Sequence, residues 1–272
     1  MVTLANPSRP NIETHTQTAF LVVDTESIPD GRLVREVKYP DQNLTDEEAI
    51  VKAQDDAREN SWSKSDFLPV TFQVPVGICI ACVGRDYSLQ KITCLDAPRF
   101  RPEIMVNQFW KGLEERHAEA KLVTFNGRGF DMPLLELAAC RYSCTATKYF
   151  QRSRNRYSGA IDLLDWFTNF GAYRMVGGLN LLAKMLGLPG KMEVAGDQVY
   201  QMYRDGRYQD INDYCMFDTL DTYFVFLRTR VLVGDLKPER EAELTARARD
   251  FLVERAVECP ALKVYLDNWA NA

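Results

Sequence analysis

The stretch "AFLVVDTES", residues 19–27, decides how this chain reads. Large apolar residues fill most of its first five positions, and two acids two apart follow at once, Asp24 and Glu26. The run 19–24 predicts a buried strand. On an extended strand, residues i and i+2 point to the same face, so the two carboxylates share one. Like charges that close repel, and one takes up a proton unless something positive stands between them. A divalent cation is the usual remedy. The plainer alternative is a solvated turn at the end of the strand, where acids are common.

Two further stretches carry acids. In "TFNGRGFDMP", residues 124–133, Asp131 follows a short strand and a turn holding Gly127 and Gly129. Sites in α/β sheets collect at the C-terminal ends of strands. An ordinary helix N-cap is the plainer reading of Asp131. In "DYCMFDTLDT", residues 213–222, Tyr214 and Asp218 stand at i and i+4 and share one helix face. Asp221 is three residues further and near the same face. Alone, this segment reads more plainly as an ordinary amphipathic helix with an exposed acid.

The frame around these stretches is that of a globular protein. The chain has 272 residues, 46% apolar and 26% charged, enough for a full core in one large domain. A net charge of -5 does not announce a nucleic-acid binder, and it does not exclude one, because binding depends on a local patch. Residues 1–18 lack the apolar stretch of a signal peptide and read as a flexible N-terminal tail. The longest uncharged run, 67–84, contains Pro69, Gln73, Pro75 and Gly77. It reads as a loop feeding a buried strand, not as a membrane span. Seven cysteines are scattered along the chain. Cys79 and Cys82 would point to opposite faces of a strand, and Cys140 and Cys144 read as small buried hydrophobes on one helix face. No zinc set or disulfide framework is expected, which places the protein in a reducing, cytoplasmic compartment.

A single domain is expected over 19–272. Residues 27–71 form an insertion with its own helix, opened by a capping box at Thr45 and Glu48 and running to about Asn60. Further strands are predicted near 74–83, 88–95 and 121–127. Helices are predicted over 101–120, 131–142, 177–191, 206–231 and 237–256, the last within a C-terminal helical extension, 236–272. Strands first, then alternation, then helices suggests an α/β sandwich on a mixed sheet.

Taken in order, D-x-E at 24–26, N-x(4)-D at 126–131 and Y-x(3)-D at 214–218 form a specific triple. The flanks agree: "FNGRGFDMPLL", "LNLLAKMLGLPGK" and "YCMFDTLDTYFVFLR". The set resembles the DEDD (DnaQ-like) superfamily of 3′→5′ exonucleases in its tyrosine branch. In particular it is similar to stand-alone exonucleases that look like the proofreading domain of family B DNA polymerases. The resemblance covers residues 19–230. The histidine branch would need H-x(4)-D on the last helix, and five residues after His15 and His117 stand Phe20 and Leu122. The resemblance implies a ribonuclease H-like three-layer fold, a five-stranded mixed sheet flanked by helices. It also implies that Asp24, Glu26, Asp131 and Asp218 hold two divalent cations, Mg²⁺ or Mn²⁺, with Tyr214 as the third-motif tyrosine. Asp221 departs from the pattern, which expects a neutral residue there. An extra acid either perturbs the site or faces solvent.

The chemistry suits this residue set. Attack of water on a phosphodiester builds negative charge, which two cations roughly 3.5–4 Å apart can stabilise. Hard cations take oxygen ligands, hence carboxylates without Cys or His. A phenol with a reference pKa of about 10 is a poor base at neutral pH, so Tyr214 is assigned to orienting water. For substrate contact, residues 141–159 hold five basic residues and no acid: Arg141, Lys148, Arg152, Arg154 and Arg156. Tyr149, Phe150 and Tyr157 interleave with them, as single-strand binding would use. A solvated loop is the equal alternative. Asn126 and Lys191 are further substrate candidates. The expected function is 3′→5′ exonucleolysis of single-stranded DNA or RNA 3′ ends, DNA taken first, releasing nucleoside 5′-monophosphates. The alternatives are an exoribonuclease, a binding module on an inactive nuclease fold, and a catalytically weak subunit of a repair or replication assembly.

Overall fold

The computed structural model describes residues 17–60, 64–154, 159–191 and 198–270. The chain opens with β1, Thr18–Pro29, followed by α1, Gly31–Lys38, and α2, Asp46–Asn60. A hairpin of β2, Gln73–Gly84, and β3, Leu89–Cys94, leads to α3, Pro102–Glu115. Then come β4, Lys121–Thr124; α4, Asp131–Arg141; β5, Ile161–Asp162; and α5, Leu163–Phe167. The rest is helical: α6, Gly178–Met185; α7, Val199–Arg204; α8, Tyr208–Leu232; α9, Pro238–Arg255; and α10, Pro260–Ala270.

The five strands form one sheet in the order β3-β2-β1-β4-β5. β2 runs antiparallel to β1 and β3, while β4 runs parallel to β1 and β5. This is the mixed sheet that the resemblance implies. Alternation along β1 splits the core in two. Leu21 and Val23 pack under α3 and α4 with Met105, Phe109, Trp110 and Leu135. Val22, with Cys79 and Ala81 of β2, packs under α8 against Cys215, Leu220 and Tyr223. Helices therefore cover both faces, and the period of 2 along β1 sends Asp24 and Glu26 to the α8 side. Leu244, Leu252, Leu262 and Tyr265 join that same core, so α9 and α10 are built onto the α8 layer.

Several boundaries differ from the sequence reading. β1 runs on to Pro29, so both acids lie inside a paired strand and not past its end. Among its described residues, the excursion over 27–71 holds two α-helices, not one. α1 is short and has Asp30 as its N-cap, accepting from Leu33 N–H at 3.0 Å. The capping box at α2 is present: Thr45 N–H donates to Glu48 at 2.7 Å and Glu48 N–H to Thr45 Oγ1 at 3.2 Å. Together α1 and α2 close a small separate core around Val34, Ala49, Ala53 and Leu68. β5 is two residues long, too short for any alternation to announce it. Cys140 is exposed, and Cys144 lies beyond the end of α4, so the two do not form a buried pair. All seven cysteines are free thiols. Among the described residues no helix is long and apolar enough to cross a membrane.

Candidate active site

β1 and α8 build the floor of the site. The ladder between β1 and β2 pairs Glu26 with Gly77 and then slips, pairing Ser27 with Pro75. A proline has no N–H for the ladder, so an irregularity is where it fits. Gly77 is required by close approach: a Cβ there would stand 3.2 Å from the Glu26 Cβ and 3.4 Å from Asn212 Oδ1. Its absence lets β1, β2 and α8 draw together. Polar contacts near the acids help to pin α8 in register. Asn212 Nδ2 donates to the Val76 carbonyl at 3.3 Å, and the Cys215 thiol donates to the Asp24 carbonyl at 3.3 Å.

That docking brings carboxylates from opposite ends of the sequence together. Single ligand oxygens of Asp24, Glu26 and Asp218 all lie within 4.8 Å of one another. The three are partly open at the cleft surface, yet protein surrounds them on most sides. Burial, then repulsion from Asp131, Asp218 and Glu26, pushes Asp24 well above the usual carboxylate range. Glu26 is raised likewise by burial and by Asp218 and Asp131, with Lys191 opposing. Burial lifts Asp218 to about 6, against the Tyr214 hydrogen bond and the Lys191 charge. Asp24 Oδ2 is buried without a hydrogen-bond partner. A crowded set of hard oxygen donors, one of them without a partner, fits a divalent cation.

Asp131 sits beside this group and outside the mutual 4.8 Å. It is the first residue of α4, not its N-cap, which is Phe130. Its Oδ1 accepts from Thr25 Oγ1 at 2.7 Å, so the strand residue between the two acids fixes it from the other face of β1. Burial raises it to about 7, the Thr25 bond opposing. Ahead of it, the turn after β4 is held by Asp162, a residue the sequence reading did not select. The Asp162 carboxylate accepts from the N–H groups of Asn126 and Arg128, both at 2.9 Å, and caps α5 through Leu164 N–H at 3.0 Å. Its only sequence signal is an acid two residues before Leu164, which any capped helix shares. Asn126 holds φ 65°, a left-handed conformation that asparagine tolerates.

Tyr214 is buried one helical turn before Asp218 and stands against its carboxyl. Burial and the three nearby acids push its phenol far above the ordinary range, so it remains protonated. A cavity of about 430 Å³ opens over Asp24 and Asp218, lined also by Asn126, Lys191 and Asp221. Lys191 is held there by its backbone, whose N–H donates to Asn180 Oδ1 at 2.8 Å. Asp221 does not face solvent: it is 1% exposed, and burial raises it to about 7.

The basic segment is less free than its composition suggests. Arg141 pairs with Asp30, Arg152 with Glu119, and Arg154 with Glu136 at 3.1 Å. Lys148 Nζ donates to the Glu114 carbonyl at 2.6 Å. The acids missing from 141–159 are thus supplied by other elements. Tyr149 is buried, edge-on to Trp110 at 5.0 Å, and donates to Glu136 at 2.7 Å, which removes it from base stacking. Phe150 stays exposed under Arg154, 5.5 Å from its ring. Arg154 does reach a second cavity, of about 460 Å³, that shares Asn126 with the first. Arg128, not singled out from sequence, lines it too and pairs with Asp165 at 2.7 Å. Arg156 and Tyr157 lie outside the described residues.

Residues 65–269 match the model of a family described as a predicted 3′-5′ exonuclease related to the exonuclease domain of PolB. The match takes in Asp131, Tyr214 and Asp218, while Asp24 and Glu26 precede it. No curated protein matches the chain. Among solved structures, the chain is similar to the family B DNA polymerase from the hyperthermophilic archaeon Pyrobaculum calidifontis, at 13% identity and a TM-score of 0.48. That similarity covers 88% of this chain and 29% of the polymerase chain. By the extent of the family match, the chain belongs to the predicted 3′-5′ exonucleases related to the exonuclease domain of PolB.

Proposed function

We propose that the protein is a metal-dependent exonuclease of the tyrosine branch of the DEDD superfamily. It removes nucleotides from the 3′ end of single-stranded nucleic acid, DNA in the first instance, and releases nucleoside 5′-monophosphates. The observation that carries this reading is the convergence of Asp24, Glu26 and Asp218, with Asp24 Oδ2 buried and unpartnered. An all-oxygen donor set selects Mg²⁺ or Mn²⁺ over softer metals. Asp24, Glu26 and Asp218, with Asp131 alongside, would hold two such ions. When bound, these supply a water of lowered pKa and offset the charge that develops on the phosphoryl oxygens and the leaving oxygen.

The remaining work falls to the chain itself. A phenol that stays protonated cannot take a proton from water at neutral pH, so Tyr214 acts as a hydrogen-bonding group that orients the attacking water. Lys191 brings an ammonium to the cavity over Asp218 and meets the scissile phosphate as a point charge. Asn126 offers its amide from the turn locked by Asp162. Thr25 fixes Asp131 through one hydrogen bond, which limits the freedom of the second-motif acid.

End-labelled single- and double-stranded DNA and RNA, digested with Mg²⁺, Mn²⁺ or EDTA, test the proposal. Stepwise shortening from the 3′ end is expected with either metal and none in EDTA or with Asp24→Ala. Undiminished cleavage in EDTA, or release from the 5′ end, would overturn it.

A further inference from the structure

On the face of the sheet away from α8, a cavity of about 380 Å³ lies between β1, β2, β3 and α3. Its floor is apolar, with Leu21, Ile80 and Phe109 among the lining residues. Lys91, Lys111, Arg116 and His117 surround it, and no acid lines it. Among the described residues, Lys91, Lys111 and Arg116 form no ion pair, in a chain whose net charge is -5. Two elements, β3 and α3, bring them together. Lys91 comes from β3, opposite Cys82, Lys111 from the last turns of α3, and Arg116 and His117 from the residues that end that helix. The Gly112 carbonyl accepts from both Arg116 N–H at 3.0 Å and His117 N–H at 3.1 Å, so it presents no free acceptor to an anion.

Gly112 itself gives an independent sign. It lies inside α3, where glycine costs about 1 kcal/mol relative to alanine. A Cβ built there would meet nothing within 4 Å, and the residue lines the cavity. Neither tight packing nor a positive φ calls for glycine at this place; what it provides is room. Space, an apolar floor and unpaired cations at the edge are the parts of a small-ligand pocket, whose volumes begin at about 300 Å³.

We propose that this cavity binds a small amphipathic anion, a phosphate monoester or carboxylate carried on an apolar body, independently of the carboxylate site. The cations meet the head group, charge-assisted hydrogen bonds being the stronger kind. The floor takes the body.

The probe is anilinonaphthalene sulfonate, whose fluorescence rises in an apolar site, titrated into the full chain. One saturable equivalent is expected. Lys111→Glu with Arg116→Glu should weaken it about tenfold or more, as loss of a single charge-assisted contact does. Gly112→Leu fills the space, keeps every charge and favours the helix, and it should remove that equivalent without lowering the melting temperature. Asp24→Ala should leave it intact. Displacement by phenyl phosphate assigns a phosphate ligand, and displacement by decanoate a carboxylate. Equal displacement by phenol or decanol, or unchanged titrations in both cavity variants, would overturn the proposal. Should the doubly charged variant fail to fold, Gly112→Leu decides alone.

Discussion

Tyr265 donates a 2.7 Å hydrogen bond to Asp221, tying the C-terminal helix to α8 one turn beyond Asp218. Tyr265 is fully buried and Asp221 almost so, so little water is at hand to replace the bond. Tyr265→Phe should therefore cost about 1–3 kcal/mol, the penalty for stranding a buried polar partner. Asp221→Asn keeps an acceptor for Tyr265 and should cost less. Urea unfolding of the two variants checks the order; equal stability of Tyr265→Phe and wild type would show the bond to be idle.

The metal-free protein should lose stability as pH rises. Asp218 at about 6 and Asp131 at about 7 are both raised above the unfolded value of 3.8. Between that value and the folded ones the native state binds more protons than the unfolded state, so the slope of stability with pH is negative. The contribution is complete below about pH 4 and is lost through pH 6 to 7. Saturating Mg²⁺ or Mn²⁺ holds these groups ionised and should raise the melting temperature more at pH 8 than at pH 5.5. Calorimetry with chelator and with metal at the two pH values measures this. Parallel melting curves would count against a metal site at these acids.

Tyr214→Phe removes one hydroxyl beside Asp218 and no carboxylate. The rate should fall about 10²–10³-fold, as with loss of one well-placed donor, while metal affinity stays nearly constant. Isothermal titration of Mn²⁺ separates the two effects. Loss of metal binding in this variant would reassign the phenol.

Lys191 and Arg152 should part company in salt titrations. Each phosphate contact contributes roughly 0.7 to the slope of log affinity against log salt for single strands. Lys191→Ala should flatten the slope by about that amount, whereas Arg152, paired with Glu119, should leave it unchanged on substitution. Binding to single-stranded DNA in Ca²⁺, without turnover, gives both slopes. The reverse order would move the strand's path from the cleft to the 141–154 segment.

The parts of the fold that sequence made legible are those with long periodic patterns. β1 alternates across two cores, α8 runs for 25 residues, and the α2 capping box has a local signature in four letters. What stayed hidden depends on partners far along the chain. β5 has two residues, and its place comes from pairing with β4. The acids that neutralise Arg152 and Arg154 are 33 and 18 residues away, so a window over 141–159 could not count them. Nothing local marks Thr25, because its partner is 106 residues further on. Whether Asp221 meets the site or solvent is open in sequence, because the partner that holds its buried carboxyl, Tyr265, is 44 residues later.

The contact of Cys215 with the Asp24 carbonyl spans 191 residues. A ribosome delivers Asp24 and Glu26 before Asp218, with α9 and α10 still to follow. Before α8 emerges, the nascent chain carries two acids on one strand and lacks the third that closes the group. Order of synthesis thus keeps the carboxylate trio apart until the strands that α8 packs on have all been made.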